Sequence, residues 1–93
     1  MNNYESVIIV DPTLDEKQQK EIVDKYSKIV NKNGKLDKIE ILGKRKLAYE
    51  IKGNKEGFYI VFYFESEPKF TTKLERKYKI DEDIIKFIII RED

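Results

Sequence analysis

Hydrophobic and polar positions along this chain follow two periods, and each change of period marks an expected element. Near the start, residues 4–10 alternate with a period of two, which predicts a strand. Glu5 sets the phase, so that Tyr4, Ser6, Ile8 and Val10 are expected to face a core while Glu5, Val7 and Ile9 face the other way. Because Val7 and Ile9 are apolar, both faces of this strand are expected to be hydrophobic.

A helical period follows the first strand. Thr13-Leu14-Asp15-Glu16 has the spacing of a capping box, which predicts a helix that begins at Leu14. Gly34 is expected to end this helix in the left-handed conformation that glycine adopts readily. The predicted inner stripe consists of Ile22, Tyr26, Ile29, Val30 and Asn33.

The middle of the chain reads as one long interrupted strand. Leu36, Ile39 and Ile41 keep an imperfect period of two, and the alternation slips before it resumes in residues 47–51. Gly43 lies at the slip, which predicts a β-bulge with a positive backbone dihedral. The bulge would place Lys44 and Lys46 on one side of the strand and Arg45 on the other.

The second half of the chain repeats the pattern of strand, helix and strand. Residues 52–57 contain two glycines and an asparagine, which predicts a hairpin loop, and residues 58–64 are apolar or aromatic throughout, as in a strand covered on both faces. Pro68 is expected in the first turn of a second helix, with an inner stripe of Phe70, Leu74 and Tyr78. A last strand is predicted over residues 84–90, with Phe87 and Ile89 towards the helices.

This order of elements predicts the fold class α+β and the ferredoxin-like split βαβ sandwich, βαββαβ. In that topology a four-stranded antiparallel sheet carries two helices on one face. The first and third strands are central, and the strand with Gly43 lies at an edge. One domain over residues 1–93 is expected for a chain of this length.

Composition narrows the classes of function. The 93 residues include no cysteine and no histidine, so disulfides, thiolate metal sites and the commonest general base are excluded, and no cofactor is expected. No apolar run approaches the roughly 20 residues of a membrane-spanning helix, so a cytoplasmic protein without membrane contact is expected. The formal net charge is only +1, so any affinity for nucleic acid must be local.

An enzyme is not expected. Small ferredoxin-like domains include acylphosphatases, but the turn after the first strand, residues 11–14, has neither an arginine nor a glycine-rich cradle for phosphate. Asp81-Glu82-Asp83 is the only tight carboxylate cluster, and turn or cap residues explain it better than an acid/base pair does. A metabolite-binding regulatory ferredoxin-like domain remains the alternative class.

A signature in the interrupted strand points to a family. The pattern Gly-x-Arg-x-Leu-Ala-Tyr-x-Ile, formed by Gly43, Arg45, Leu47, Ala48, Tyr49 and Ile51, resembles that of bacterial small-subunit ribosomal protein S-six. The resemblance covers the whole chain, because Tyr4-Glu5, Gly34, Gly57 and Arg91 also fall where that family has them. It implies a non-enzymatic structural constituent of the small ribosomal subunit, without a small-molecule substrate. Members bind the central domain of small-subunit ribosomal RNA together with ribosomal protein S-eighteen as a heterodimer partner.

Two sets of candidate residues result. The resemblance implies contact with RNA phosphates or with the partner for Lys44, Arg45 and Lys46, and a second basic patch for binding RNA at Lys86 and Arg91. The alternative for Arg45 is a surface cation that discourages edge pairing. The phase of the strands predicts an apolar patch on the face without helices, suited to a protein partner. That patch consists of Val7, Ile9, Tyr59, Val61, Tyr63, Ile88 and Ile90, whose aromatic members could alternatively stack on bases.

Overall fold

The computed structural model describes residues 1–92, and its six elements follow the predicted order. They are β1 (Asn2–Val10), α1 (Glu16–Asn33), β2 (Gly34–Ile51), β3 (Asn54–Ser66), α2 (Pro68–Ile80) and β4 (Ile84–Glu92). The strands form one antiparallel sheet in the order β2-β3-β1-β4. The predicted fold class is therefore confirmed, with β1 and β3 central and β2 at an edge. Within residues 1–92, neither helix is long and apolar enough to cross a membrane.

The main core lies between the helices and one face of the sheet. Ser6, Ile8 and Val10 are fully buried on β1, as the alternation predicts. The stripe of α2 is confirmed, but that of α1 ends at Val30, because Asn33 is exposed and its side-chain amide donates to the carbonyl of Ile29. The main contributors to this core are Tyr4, Ile8, Val10, Ile22, Tyr26, Val30, Ile60, Phe62, Phe64, Phe70, Leu74, Tyr78 and Ile84.

Two buried tyrosines join the helices to each other and to the sheet. The rings of Tyr26 on α1 and Tyr78 on α2 meet edge to face, with centroids 4.9 Å apart. The Tyr78 hydroxyl lies 2.7 Å from the Ser6 hydroxyl, and the Tyr26 hydroxyl donates to the Asp81 carboxylate at 2.6 Å. Burial raises the pKa of both tyrosines, so that their hydroxyls remain protonated. Each buried hydroxyl thus has a partner, as burial requires.

Asp81 has a structural role in the turn before β4. Its carboxylate accepts from Tyr26, from the backbone N–H of Asp83 and from the Lys25 ammonium at 3.2 Å. Partial burial alone would raise the pKa of Asp81, but these hydrogen bonds outweigh it and lower the pKa below its ordinary value. The interpretation of residues 81–83 as turn and cap residues is confirmed.

The start of α1 differs from the prediction by two residues. Asp15 is the N-cap, and it exchanges hydrogen bonds with Gln18 in a capping box. Thr13 belongs to the turn before the helix instead, where its hydroxyl and backbone N–H both donate to Asp11. An aspartate caps as well as a threonine does, and here it lies next to the first residue of α1.

Gly34 is not the left-handed cap that the sequence predicts. Its backbone is extended, with φ −174°, and it is already the first residue of β2. The glycine is needed there for a different reason, since a Cβ would collide with the backbone carbonyl of Glu65 and come within 3.0 Å of the Ser66 side chain. Close approach to β3 therefore explains this glycine.

The predicted bulge at Gly43 is confirmed. Pairing between β2 and β3 shifts between Ile41 and Gly43, and Gly43 has φ +82°. A second shift lies between Leu36 and Lys38, and this one has no glycine to mark it. Bulges bend an edge strand and interrupt its ladder, which discourages pairing with a further strand.

The hairpin after β2 is tighter than predicted. Only Lys52 and Gly53 form the turn, both with positive φ, and Ile51 already pairs with Asn54. This geometry is that of the two-residue turns that match the twist of paired strands. Gly57, expected in the loop, instead lies buried within β3, where a Cβ would collide with the Ile9 side chain.

We predict that Gly43→Val destabilises the protein through backbone strain alone. A Cβ at Gly43 would meet no atom within 4 Å, so the cost comes from φ +82°, which a β-branched residue tolerates poorly. The expected loss is about 1–3 kcal/mol in the free energy of unfolding, measured by urea denaturation. Lys44→Val, at the next position, is the matched control and should lose much less. Equal losses in the two variants would contradict the assignment.

We also predict that Asp81 contributes to acid sensitivity. Because its pKa is lower in the folded state than in the unfolded state, the stabilisation is present above the unfolded value and is lost as pH falls through the folded value. Asp81→Asn should therefore show a smaller decrease in unfolding free energy between about pH 5 and pH 2 than the wild type. Asp24→Asn, at an exposed position on α1, is the control and should follow the wild-type curve. Parallel curves for Asp81→Asn and the wild type would refute the prediction.

Candidate nucleic-acid interface

The sheet face opposite the helices, which we name the helix-free face, carries the predicted apolar patch. The centre of this patch is less exposed than a partner-binding surface requires. Val7 pairs with Val61 on one side and with Ile88 on the other, so the three side chains form a row across the sheet. Val61 and Ile9 are only 3% and 7% exposed. A partner-binding patch that is open at Val61 and Ile9 is therefore wrong, whereas the cover expected on both faces of the strand over residues 58–64 is confirmed at Val61. The accessible part lies on β4, where Ile88 and Ile90 are 49% and 46% exposed.

Tyr63, another residue of the patch, is held by β2. Its hydroxyl donates to the Glu40 carboxylate at 2.6 Å, and the Lys38 ammonium lies 5.6 Å from the centroid of its ring. The hydrogen bond to Glu40 is the main reason why the pKa of Tyr63 is raised, so this tyrosine remains a donor. A ring with its hydroxyl engaged and a cation over it is poorly placed to stack on a base.

An apolar groove lies at one end of the helix-free face, and we name it the Tyr49 groove. It has a volume of about 190 Å³. Tyr49, itself 66% exposed, reaches across the sheet to Lys86 on β4, whose ammonium lies 3.5 Å from the Tyr49 hydroxyl and 5.6 Å from the ring centroid. The groove is lined by Val7, Ile9, Leu47, Ala48, Tyr49, Ile51, Tyr59, Lys86, Phe87 and Ile88.

The Tyr49 groove exists because the end of β2 leaves the regular ladder. Lys46 pairs with Glu56 and Ile51 pairs with Asn54, so four residues of β2 lie opposite one residue of β3. This excess lets residues 47–50 arch over the helix-free face, although β2 and β4 are at opposite edges of the sheet. Sequence reasoning found the shared phase of Leu47, Tyr49 and Ile51 but not the groove, because no local signal reveals where the arch ends.

The three consecutive cations are exposed on β2 beside the groove. Lys44, Arg45 and Lys46 pair with Phe58, Gly57 and Glu56. Phe58 packs towards the helices, so the alternation places Lys44 and Lys46 on the helix side and Arg45 on the helix-free face. None of the three cations forms an ion pair within residues 1–92. The run is thus available for a polyanion.

Lys86 and Arg91 do not form the single basic patch that the sequence suggested. They are five residues apart on a regular strand, about 17 Å along it. Lys86 pairs with Ile9 on the helix-free side, whereas Arg91 pairs with Tyr4, whose side chain faces the helices. The Arg91 guanidinium donates to the side-chain carbonyl of Asn2 at 3.3 Å. Only Lys86 shares a face and a sheet end with Arg45.

The chemistry of these surfaces is that of binding. Cations can neutralise phosphates, and exposed isoleucines can pack against another protein. Among residues 1–92, no group of three or more acidic side chains is arranged to hold a metal ion.

Comparison with known proteins identifies relatives over the whole chain. A family model described as "Ribosomal protein S6" matches residues 3–91. The small ribosomal subunit protein bS6 of Helicobacter acinonychis is 43% identical over 94 aligned positions, which cover 100% of this chain and 66% of that protein. The bS6 protein of Heliobacterium modesticaldum is 40% identical, and the alignment covers 100% of this chain and 98% of the relative. This chain thus spans about two thirds of the length of the Helicobacter relative.

A solved structure agrees with these matches. The crystal structure of 30S ribosomal protein S6 from Thermotoga maritima superposes with a TM-score of 0.93 at 36% identity, over 98% of this chain and 87% of that one. The sequence similarity and the shared fold extend from the first strand to the last. The resemblance seen in the signature at residues 43–51 is confirmed, and the chain belongs to the ribosomal protein S6 family.

Proposed function

We propose that this protein is a non-enzymatic structural constituent of the small ribosomal subunit that binds the central domain of small-subunit ribosomal RNA together with ribosomal protein S-eighteen. The observation that carries the proposal is the family match, which covers residues 3–91. The surfaces agree with two partners of different chemistry. One surface is cationic, at residues 44–46, and the other is apolar, on the helix-free face.

RNA is assigned to the cationic run. Lys44, Arg45 and Lys46 are exposed and have no carboxylate partner within residues 1–92, so phosphates would not compete with internal ion pairs. A run of cations on a strand offers charge without a geometry that reads bases. Arg91, at the far end of β4, remains a candidate for a separate phosphate contact.

The protein partner is assigned to the apolar surface on β4. Ile88 and Ile90 are large, adjacent on one face and about half exposed, which favours burial against another protein. Removing apolar area from water contributes about 25 cal/mol per Å² before the costs of association. A formal net charge of +1 leaves little general attraction to RNA, so we expect weak RNA binding by the lone protein and tight binding by the pair.

The Tyr49 groove gives no specific support to the alternative of a metabolite-binding regulatory domain. Sites for small polar ligands have several polar groups that converge on the ligand. The Tyr49 groove is lined mainly by aliphatic and aromatic side chains, and Lys86 is its only charged residue.

We predict that the cationic run contributes to the salt dependence of RNA binding. If it neutralises about two phosphates, replacing Lys44, Arg45 and Lys46 by alanine should flatten the slope of log affinity against log salt by about 1–2 units. The measurement is titration of central-domain RNA by the heterodimer at several salt concentrations. A matched triple variant with alanine at Lys69, Lys73 and Lys77 on α2 has the same change in charge on another surface. The variant on α2 should keep the wild-type slope. An unchanged slope in the variant at residues 44–46 would refute the assignment of RNA to the cationic run.

We predict that Ile90→Lys blocks assembly with the partner without unfolding the protein. Val61 is unsuitable for this test, because a charge at a buried position would unfold the protein itself. Lysine at position 90 would instead lie opposite Glu5, which compensates its charge in the free protein. Burial in an interface would then desolvate the ammonium, so the affinity for S-eighteen should fall by about tenfold or more.

The experiment compares three titrations of central-domain RNA, by the protein alone, by the pair and by Ile90→Lys with S-eighteen. Of these three, only the wild-type pair should bind tightly. Ile41→Lys with S-eighteen is the control and should bind as the wild-type pair does, because Ile41 is 58% exposed on the helix side of β2. Tight binding by the lone protein would overturn the dependence on a partner, and full activity of the Ile90→Lys pair would overturn the assigned surface.

A further inference from the structure

The Tyr49 groove is smaller than a typical small-molecule site and hydrophobic. Its volume of about 190 Å³ lies below the roughly 300–1,000 Å³ of most ligand pockets. Aliphatic side chains from three strands, among them Val7, Leu47 and Ile88, form most of its surface. A groove of this size and lining can hold one large apolar side chain. Pockets in protein interfaces hold the anchor residues of the partner in the same way.

A cation without a carboxylate partner lies in the lining of this groove. The Lys86 ammonium contacts the ring and hydroxyl of Tyr49, and it forms no ion pair within residues 1–92. A phenol hydroxyl does not neutralise an ammonium. A carboxylate brought in beside the apolar anchor would do so, with a charge-assisted hydrogen bond.

We infer that the Tyr49 groove is the docking site for a segment of a partner protein that carries one large apolar side chain with a carboxylate next to it. The inference rests on the proposed function, and S-eighteen is the partner that would carry the segment. The groove includes Ile88 and so is continuous with the exposed surface of Ile88 and Ile90. The anchor would therefore extend one contact surface rather than form a separate one.

A nucleobase fits this groove less well. Recognition of an unstacked base uses hydrogen bonds to its edges in addition to stacking. The lining offers only the Lys86 ammonium and the hydroxyls of Tyr49 and Tyr59 as polar side-chain groups, and one face of the Tyr49 ring already has Lys86 over it. An apolar side chain needs no such hydrogen bonds.

The test measures the Kd for purified S-eighteen by calorimetry, with one variant that fills the groove and one that reverses its charge. Ala48 is exposed in the lining, so Ala48→Phe should occupy the groove and weaken binding by about a hundredfold. Lys86→Glu should repel the carboxylate and weaken binding by about tenfold or more, whereas Lys86→Arg should retain the wild-type Kd.

Two variants on α2 are matched controls. Thr72→Phe introduces the same ring and Lys73→Glu the same change in charge at exposed positions on the opposite side of the protein, and both variants should bind S-eighteen as the wild type does. Thermal unfolding of all five variants checks that the fold is intact. A loss of binding by a folded groove variant, with normal binding by its control, is the expected result.

The outcomes separate the groove from the proposed function. If the wild type binds S-eighteen and both Ala48→Phe and Lys86→Glu bind it equally well, the groove assignment is overturned and the proposed function stands. If the wild type does not bind S-eighteen at all, the proposed function is overturned and the groove assignment with it. If Ala48→Phe, which leaves the charge unchanged, binds S-eighteen normally but binds central-domain RNA more weakly than the wild type does, the groove takes a base, which also overturns the inference.

Discussion

The contact between Tyr26 and Tyr78 is the interaction on which the arrangement of the layers depends. Their rings meet between α1 and α2, and their hydroxyls are bonded to Asp81 in the turn before β4 and to Ser6 on β1. One polar network therefore connects both helices, a central strand and the turn into an edge strand. Because a buried hydroxyl without a partner is costly, a different packing of the helices would have to satisfy both groups again. The network holds both helices on one face of the sheet.

With both helices on one face, the other face of the sheet is covered, in the part of the chain that the structure describes, only by segments of the strands themselves. The surface assigned to the protein partner is the part of that face that these segments leave exposed. At one end, residues 47–50 arch across the sheet from β2 until Tyr49 meets Lys86 on β4. In the centre, Val61 is buried between its cross-strand partners Val7 and Glu40. On β4, Ile88 and Ile90 have no such cover within the described chain. A face that is closed at one end and in the middle but open along one edge strand suits a protein partner of limited size.

Separate surfaces for charge and for apolar contact also suit a protein with a net charge of +1. The exposed cations at residues 44–46 are grouped on one edge strand, where phosphates could reach them without displacing internal ion pairs. The exposed isoleucines of the apolar contact surface lie on the opposite edge strand, β4. An RNA and a protein could thus bind side by side, each to a surface of matching chemistry, and the second binding event would not have to compete with the first.

The sequence by itself determined the order of elements, the central and edge strands, the inner stripe of α2 and the bulge at Gly43, because periodicity and glycine chemistry are local properties. It also contained the signature that identifies the family. The cap of α1 at Asp15 rests on local contacts, those of Asp11 with Thr13 and of Asp15 with Gln18. Only the tertiary structure decided that Gly34 is extended, since the backbone of β3 lies against it. The Tyr49 groove likewise depends on strand register and on the arch of β2. Register and the path of an arch arise from contacts between residues far apart in the chain, so no local pattern could reveal them.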